Sequence, residues 1–156
     1  MPSRYRQTAT LSPTDAAYIA GLVDGEGTIS LTRRHRDDER QLVISISNTE
    51  SPLLDFVLKA VGAGKITRKR TYSNNHSPGL TYAINNRQAL DLLRQIAPYL
   101  RTYKVQRAKL VLDHYLELTP RNGKYSSEIR EARKQWVEQF LALAPRHAVK
   151  SPESSY

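Results

Sequence analysis

The 156-residue chain contains no cysteine, which excludes disulfide bonds, thiolate metal sites and a cysteine nucleophile. It has no apolar run of membrane-spanning length, and its first residues lack the apolar core of a secretory signal peptide. The histidines, at positions 35, 76, 114 and 147, are scattered without the spacing of a zinc site. Residues 62–67 lack the pattern of a nucleotide-binding loop. We therefore expect an intracellular, soluble protein that uses no small-molecule cofactor and no membrane.

Positive charge is what the chain has in excess. It carries 24 Lys and Arg residues against 15 Asp and Glu residues, for a net charge of +9 and a pI near 9.9. This balance favours a polyanionic partner, and nucleic acid before a membrane surface. A ribosomal or other generic basic protein would share it, so charge alone does not identify the partner.

Hydrophobic periodicity predicts the element order α-β-β-α-β-β-α, followed by further helices. The first two helices begin at Ser12-Pro13 and Ser51-Pro52, each a hydroxyl residue followed by proline at the start of a helix. Alternating patterns predict strands at residues 28–36, 41–48, 65–72 and 80–85. Later helices are marked by apolar stripes at Ala89, Leu92, Leu93, Ile96 and Leu100; at Ala108, Val111, Leu112 and Tyr115; and at Ile129, Trp136, Phe140 and Leu143.

This order predicts an α+β fold, in which a four-stranded antiparallel sheet carries helices on one face. The ends of the chain are polar and rich in Ser, Pro and charged residues. We expect one domain over residues 12–144, with flexible tails at residues 1–11 and 145–156.

The most informative segment is YIAGLVDGEG, at residues 18–27. Apolar and small residues run to Val23 and glycines follow at positions 25 and 27, which predicts a helix that ends in a turn carrying Glu26. A carboxylate in this setting suits a divalent cation, which prefers carboxylate and carbonyl oxygens. The alternative is an amphipathic helix with a glycine cap and a solvated glutamate.

Residues 19–27, IAGLVDGEG, align without a gap onto the motif of the LAGLIDADG homing endonucleases, and the chain resembles that family over about residues 12–118. The resemblance implies a sheet laid along a DNA groove and hydrolysis of DNA with Mg²⁺ or Mn²⁺. The resemblance also implies an intron-encoded enzyme. Because one copy of the motif is present, it implies the homodimeric type.

The resemblance also implies roles for individual residues. The acid at the motif's eighth position, Glu26, would bind the cation with help from the carbonyl group of Gly25. Many family members carry Asp there, so Glu26 is a mild departure. Asp24, the other acid of the motif, would hydrogen-bond across a pair of helices rather than hold metal.

Two further catalytic candidates follow from the same resemblance. Asn48 falls where relatives place a Gln or Asn that orients water near the scissile phosphate; the alternative is an Asx-type turn before the second helix. Lys104 matches a lysine that points back at the active site, where a cation could lower the pKa of water or offset phosphate charge. Arg101 is the rival for that position, because the alignment needs one extra residue.

The outward positions of the predicted strands carry hydrogen-bonding and cationic side chains, which suit base edges and phosphates in a major groove. For any single position, a solvated basic strand explains the residue as well. The predicted DNA-contacting residues are Thr28, Ser30, Thr32, Arg34, Arg36, Gln41, Val43, Ser45, Lys65, Thr67 and Lys69.

Ala17 and Gly21 lie four residues apart on the first helix and form a patch where another backbone could approach closely. Pairing this patch in two copies would bring both Glu26 residues near one two-fold axis. The predicted dimer interface comprises Ala17, Ala20, Gly21 and Asp24.

The leading hypothesis is therefore a site-specific double-strand DNA endonuclease that cleaves a long pseudo-palindromic site as a homodimer. An alternative keeps the fold without cleavage, as an intron maturase or a DNA-binding regulator. A generic basic RNA-binding protein is a third possibility, but it would not require the acidic turn.

Overall fold

The computed structural model describes residues 6–68 and 79–145, and its elements follow the predicted order. The strands are β1 (Gly27–Thr32), β2 (Gln41–Asn48), β3 (Lys65–Arg68) and β4 (Leu80–Asn85). The α-helices are α1 (Pro13–Glu26), α2 (Ser51–Val61), α3 (Asn86–Ile96), α4 (Lys104–His114) and α5 (Ser127–Ala142), and a short 3-10 helix (Ala97–Tyr99) follows α3.

The strands form one antiparallel sheet in the order β1-β2-β4-β3. One face is buried beneath the helices, as the alternation in β1 and β2 predicts. The buried strand residues include Ile29, Leu31, Leu42, Ile44, Ile46, Tyr82 and Ile84. The prediction of an α+β fold with helices on one face of a four-stranded sheet is confirmed.

The later helices complete the core with the apolar residues that their periodicity singles out. Leu92, Leu93 and Ile96 of α3 are fully buried. On α5, Trp136 and Phe140 are buried against α4, and the Trp136 indole donates to the Leu110 carbonyl oxygen at 3.0 Å. These two aromatic residues are therefore core residues rather than a platform for stacked bases.

Helix α1 begins as predicted and ends later than predicted. Ser12 Oγ accepts a hydrogen bond from the Asp15 amide at 3.2 Å, and a proline opens the helix. The expectation that Glu26 lies in a turn beyond the helix is wrong, because the helix continues through Gly25 to Glu26 and is capped by Gly27. A Cβ on Gly27 would lie 2.7 Å from both the Ser45 carbonyl oxygen and the Val23 Cα. Only glycine fits this junction.

Strand β1 is shorter than predicted, because the chain leaves the sheet after Thr32. Arg34 and Arg36 therefore lie in the connection between β1 and β2 rather than on a strand. A local turn closes this connection: the Asp38 carboxylate accepts from the His35 amide, and the Asp38 amide donates to the His35 carbonyl oxygen, each at 3.1 Å. Lys69 and residues 70–78, which include most of the predicted β3–β4 connection, lie outside the described residues.

The start of α2 also differs from the predicted pattern. Ser51 is the first helical residue rather than the cap, and its hydroxyl donates to the Asp55 carboxylate at 3.2 Å. Glu50 occupies the capping position without a side-chain hydrogen bond. At the other end, Gly62 closes the helix in the left-handed region, with φ of 71°.

The division into one domain and two flexible tails stays a prediction, and residues 1–5 and 146–156 lie outside the described residues. Between residues 6 and 11, the chain hydrogen-bonds to α2 and α3. The Ala9 amide donates to the Val61 carbonyl oxygen at 2.8 Å, and the Leu11 amide donates to Gln95 Oε1 at 2.7 Å. Across the described ranges, no helix combines the length and the apolar character needed to span a membrane.

Candidate active site

Glu26 and Asn48 meet where α1 joins the sheet. The register that pairs Gly27 of β1 with Ile46 of β2 brings the end of α1 beside the end of β2. There the Asn48 amide group donates a hydrogen bond from Nδ2 to Glu26 Oε2. The Glu26 side chain is exposed and that of Asn48 is half-buried, so the pair lies at the surface.

Asn48 forms the Asx-type turn that was one of its two interpretations, and its role in orienting water stays a prediction. Its Oδ1 accepts a hydrogen bond from the Glu50 amide at 2.8 Å, which is an Asx-type turn before α2. Because a backbone amide can bond only to the side-chain oxygen, this turn fixes the orientation of the amide group. The Nδ2 atom must then point towards Glu26. The turn therefore orients the Asn48 side chain towards Glu26.

Lys104 reaches the same helix end from the start of α4. Its Nζ donates to the Val23 carbonyl oxygen at 2.7 Å and to the Asp24 carbonyl oxygen at 2.8 Å, and its side chain is buried. Burial lowers the pKa of the Lys104 ammonium; Asp24 opposes this shift and Arg107 adds to it. Its rival Arg101 is exposed and reaches α1 through its backbone amide.

Lys104 places a positive charge at the end of α1, where negative charge accumulates. The C-terminus of a helix carries partial negative charge, and α1 places Asp24 and Glu26 there with no basic residue in its last turn. An ammonium bonded to the terminal carbonyl groups neutralises part of this charge and satisfies backbone acceptors. Lys104 therefore supports the helix end that carries Glu26. Its predicted part in catalysis stays a prediction.

The carboxylate of Asp24 is engaged within its own chain. It accepts from the Arg101 amide at 2.8 Å, and from the Thr102 hydroxyl and amide at 2.6 and 3.3 Å. These bonds tie the end of α1 to the segment that leads into α4. The sequence offered no signal for the partners Arg101 and Thr102, because they lie more than 75 residues away along the chain.

The four residues predicted at a dimer interface separate in the structure. Ala17 and Gly21 lie together on the exposed face of α1, whereas Ala20 is fully buried in the core of its own chain. A Cβ on Gly21 would meet no atom within 4 Å in the described part of the chain. Beside this face, the half-exposed ring of Tyr18 packs edge-on against Phe56 of α2, with ring centroids 5.4 Å apart.

The donor set at the end of α1 fits a hard divalent cation. Glu26 supplies an exposed carboxylate, the helix end presents backbone carbonyl groups, and both are oxygen ligands of the kind that Mg²⁺ and Ca²⁺ prefer. Among the described residues, no three His, Cys, Asp or Glu side chains are grouped so that they could hold a metal ion together.

The outward face of the sheet begins beside this site. Cross-strand hydroxyl pairs cover it: Thr28 Oγ1 lies 2.7 Å from Ser45 Oγ, and Ser47 Oγ lies 2.8 Å from Thr81 Oγ1. Of the predicted DNA-contacting residues, the following occupy outward strand positions: Thr28, Ser30, Thr32, Gln41, Val43, Ser45, Lys65 and Thr67.

An open groove of about 1520 Å³ extends this face beyond the strands. Arg33, Arg34 and residues 37–39 line one side of it, and residues of the segment that joins α4 to α5 line the other. Its six cationic side chains outnumber its three acidic ones: Arg33, Arg34, Lys65, Arg87, Arg121 and Arg130 against Asp37, Asp38 and Glu39. The segment between α4 and α5 was absent from the sequence-based prediction, because it has no strand periodicity.

A family model described as LAGLIDADG endonuclease matches residues 19–117 of the chain. The intron-encoded DNA endonuclease ai2b of Dictyostelium discoideum is 24% identical over 118 residues, which make up 75% of this chain and 45% of that protein. The chain thus spans less than half the length of this curated relative.

Solved structures share the fold. The homing endonuclease I-CvuI, in complex with its target in the presence of 2 mM Ca, matches with a TM-score of 0.69 and 19% identity over 92% of this chain and 87% of that chain. An archaeal intron-encoded homing endonuclease, I-Vdi141I complexed with DNA, matches with a TM-score of 0.56 and 16% identity over 89% of each chain.

Proposed function

The chain belongs to the LAGLIDADG endonuclease family, and on that premise we propose that it cleaves both strands of a long pseudo-palindromic DNA site as a homodimer. The observation that carries this proposal is the contact between Asn48 and the exposed Glu26 at the end of α1. An acid beside a phosphate would repel a DNA backbone unless a cation binds between them, so a protein that only binds DNA has no use for it.

We propose that Glu26 and the carbonyl group of Gly25 hold a divalent cation, Mg²⁺ or Mn²⁺. When bound, the cation supplies charge neutralisation at the scissile phosphate and activation of a water molecule. Glu26 would contribute one ligand position and the Gly25 carbonyl group a second. The crystal structures of I-CvuI with its target and Ca, and of the same protein with Mg and uncleaved DNA, support the use of such cations by this fold.

The chain's own residues orient the reaction. In hydrolysis, a water oxygen forms a bond to phosphorus, one phosphorus–oxygen bond of the backbone breaks, and the released oxygen takes a proton. The Asn48 amide group has two N–H donors and uses one on Glu26. We assign the second to the water molecule, while the Asx turn holds the group in place. Lys104 acts through the helix end that it supports.

The exposed face of α1 supplies the proposed dimer contact. Ala17 and Gly21 leave room for close approach of a second backbone, and the exposed Tyr18 and Phe56 offer apolar surface beside it. A two-fold axis through this face would bring the two Glu26 residues together. Two active sites are then available for two DNA strands.

The outward face of the sheet supplies the proposed DNA contact, with phosphate contacts from the cations and base contacts from the hydroxyl and amide groups. Strand β2 has eight residues and at roughly 3.3 Å per residue spans about 26 Å. That distance covers about 8 base pairs. The connections on either side of the groove reach further, so a dimer should protect a site of roughly 20 base pairs.

The proposal is tested by incubating the protein and Mg²⁺ with a library of random DNA duplexes and sequencing the ends that form. We expect cleavage at one family of related sites, with the two half-sites related by inverted symmetry. Tight binding of a DNA site without cleavage in Mg²⁺ or Mn²⁺ would favour the maturase or regulator instead.

A further inference from the structure

The most unusual side chain outside the candidate active site is Arg133 on α5. It is a fully buried cation, on the same helix face as Trp136 and Phe140. Its guanidinium packs over the rings of Trp136 and Tyr125, at 5.5 and 5.4 Å from their centroids. A charged residue at such a position normally costs stability, because its hydration is lost.

The guanidinium of Arg133 bonds to two sets of partners. Through Nη1 it donates to the Leu118 carbonyl oxygen and, at 2.8 Å, to Thr119 Oγ1. Through Nη2 it donates to the Arg40 carbonyl oxygen, and its Nε forms an ion pair with Glu39 Oε2 at 3.3 Å, without hydrogen-bond geometry.

These two sets of partners belong to the two sides of the groove. Glu39 and Arg40 end the connection between β1 and β2, which carries Arg34 and Arg36. Leu118 and Thr119 begin the segment between α4 and α5, which carries Arg121. Glu39 and Thr119 are themselves lining residues of the groove. Arg133 thus joins the two sides from beneath.

A planar guanidinium with five donors can hold two backbone segments at a fixed separation, which neither lysine nor an apolar residue can do. An apolar residue would fill the same volume without the cost of burying charge. Packing alone therefore does not account for arginine here. The need to fix the relative positions of the two segments does account for arginine at this position.

We propose that Arg133 is a positioning residue that fixes the separation of the two sides of the groove and thereby sets the preference for the outer base pairs of the DNA site. The inference rests on the proposed function, because it assumes that DNA occupies the groove. The central base pairs lie nearer the end of α1, so their recognition does not depend on Arg133.

The test uses the full chain with Arg133→Lys, which keeps the charge but cannot span both sides, and with Thr119→Val, which removes one bond at nearly constant volume. Phe140→Leu is the matched control, since it weakens the packing of α5 without touching the groove. Each protein is presented with two DNA libraries made from the parent's selected site, one randomised at the outer pairs and one at the central pairs.

We expect Arg133→Lys to relax the preference at the outer pairs by about 10-fold or more, roughly the discrimination of one base contact. Thr119→Val should do so more weakly, and both should keep the central preference. The inference is overturned if both variants keep the parent's outer preference, or if Phe140→Leu relaxes it equally, because Arg133 then has only a structural role.

Amide hydrogen exchange separates this inference from the proposed function. Arg133→Lys should accelerate exchange in residues 33–40 and 116–125 more than Phe140→Leu does, with no DNA present. If the parent neither binds nor cleaves DNA, the proposed function fails and the role in recognition fails with it. Faster exchange would then still show that Arg133 holds the two segments, and unchanged exchange would refute that as well.

Discussion

The ammonium of Lys104 bonds to the helix end just before the carboxylate that we propose binds the cation. Its hydrogen bonds to the Val23 and Asp24 carbonyl oxygens close the end of α1. Placing a positive charge at this end is favourable because the helix dipole and two acidic side chains make it negative. Lys104 therefore contributes to the stability of this helix end and to the position of Glu26, together with the bonds of Asp24 and Asn48.

Replacing Lys104 with Met should lower the free energy of unfolding by about 1.5–3 kcal/mol, the range for a hydrogen bond to a charged group. Cleavage of the selected site should slow by roughly 10- to 100-fold, as for lost support of a metal ligand. Urea denaturation and single-turnover cleavage measure the two effects. Lys109→Met, an exposed lysine of the same helix, should change neither. Unchanged stability in Lys104→Met would refute the capping role.

Two buried tyrosines should make the protein sensitive to alkaline pH. Burial raises the pKa of Tyr82 and of Tyr115, and the Tyr82 hydroxyl donates to the Ala63 carbonyl oxygen at 2.6 Å. The unfolded chain loses these protons above about pH 10, whereas the folded protein keeps them. The contribution of these tyrosines to the free energy of unfolding is therefore fully present below that pH. Above it, the free energy of unfolding falls by up to about 1.4 kcal/mol per pH unit for each tyrosine.

Urea denaturation between pH 9 and pH 11 measures this loss. Lys104 has the opposite effect. Because its pKa is lowered in the folded protein, the free energy of unfolding rises with pH until the ordinary pKa of lysine is reached. Variants therefore isolate the tyrosine effect. Tyr82→Phe should lose stability less steeply with pH than the parent, and Tyr99→Phe, at an exposed position, should follow the parent. Identical slopes for Tyr82→Phe and the parent would contradict this account.

The role of a single residue could be predicted where its type and its position in the sequence favoured the same chemistry. Asn48 was left between two roles; the Asx turn is present, and the amide group that remains bonds to Glu26, while the role in orienting water stays a prediction. The burial of Arg133 could not be predicted from the sequence, because a charged residue is ordinarily assigned to the surface even when it lies on an apolar stripe. Its partners come from segments that are joined only by the tertiary fold.

At the scale of elements, α1 presents Ala17 and Gly21 to solvent on one face. Replacing Gly21 with Leu should be tolerated within one chain, because no described atom lies within 4 Å of the added Cβ. Leucine also favours helix over glycine by up to about 1 kcal/mol. In the proposed dimer the same side chain would meet the second copy, so association should be lost while folding is kept.

Light scattering at micromolar concentration, with circular dichroism for folding, measures this outcome. Ala132→Leu, a small-to-large change at an exposed position of α5, is the matched control and should remain dimeric. A parent protein that is monomeric with and without DNA would contradict the proposed interface. So would a Gly21→Leu variant that associates as well as the parent.

The order of elements could be predicted from the sequence, but their ends could not always be. Periodicity identified the strands because one face of the sheet is buried. It extended β1 too far, since alternation continues into residues whose backbone turns back through Asp38. It ended α1 too early, because glycine usually stops a helix, whereas the close approach at Gly27 sets the real end.

At the scale of the whole molecule, the net charge of +9 should make DNA affinity fall steeply with salt, because each phosphate contact releases counterions. Lys65 lines the groove on β3. Lys65→Ala should reduce the slope of log K against log salt by about 2 in a dimer, because each neutralised phosphate contributes roughly 0.9 to that slope. Filter binding at several salt concentrations measures this slope. Lys59→Ala, an exposed lysine of α2, should keep the parent's slope, and salt-independent binding by the parent would contradict the proposed DNA face.

We propose above all that the carboxylate at the end of α1 serves cleavage rather than DNA affinity. The direct measurement is a paired gel-shift and cleavage assay of Glu26→Gln on one selected site, with Mg²⁺. Glutamine keeps the shape and one oxygen that can accept from Asn48, and it replaces the other oxygen by an uncharged NH2 group. Glu50→Gln, an exposed acid nearby, is the control and should cut like the parent.

Cleavage by Glu26→Gln should fall by more than about 100-fold, since even a supporting partner of a metal ligand is worth roughly 10- to 100-fold. Its affinity for the site should persist or rise, because one negative charge beside the phosphates is gone. If Glu26→Gln cuts as fast as the parent, or loses binding together with cleavage, the claim is contradicted.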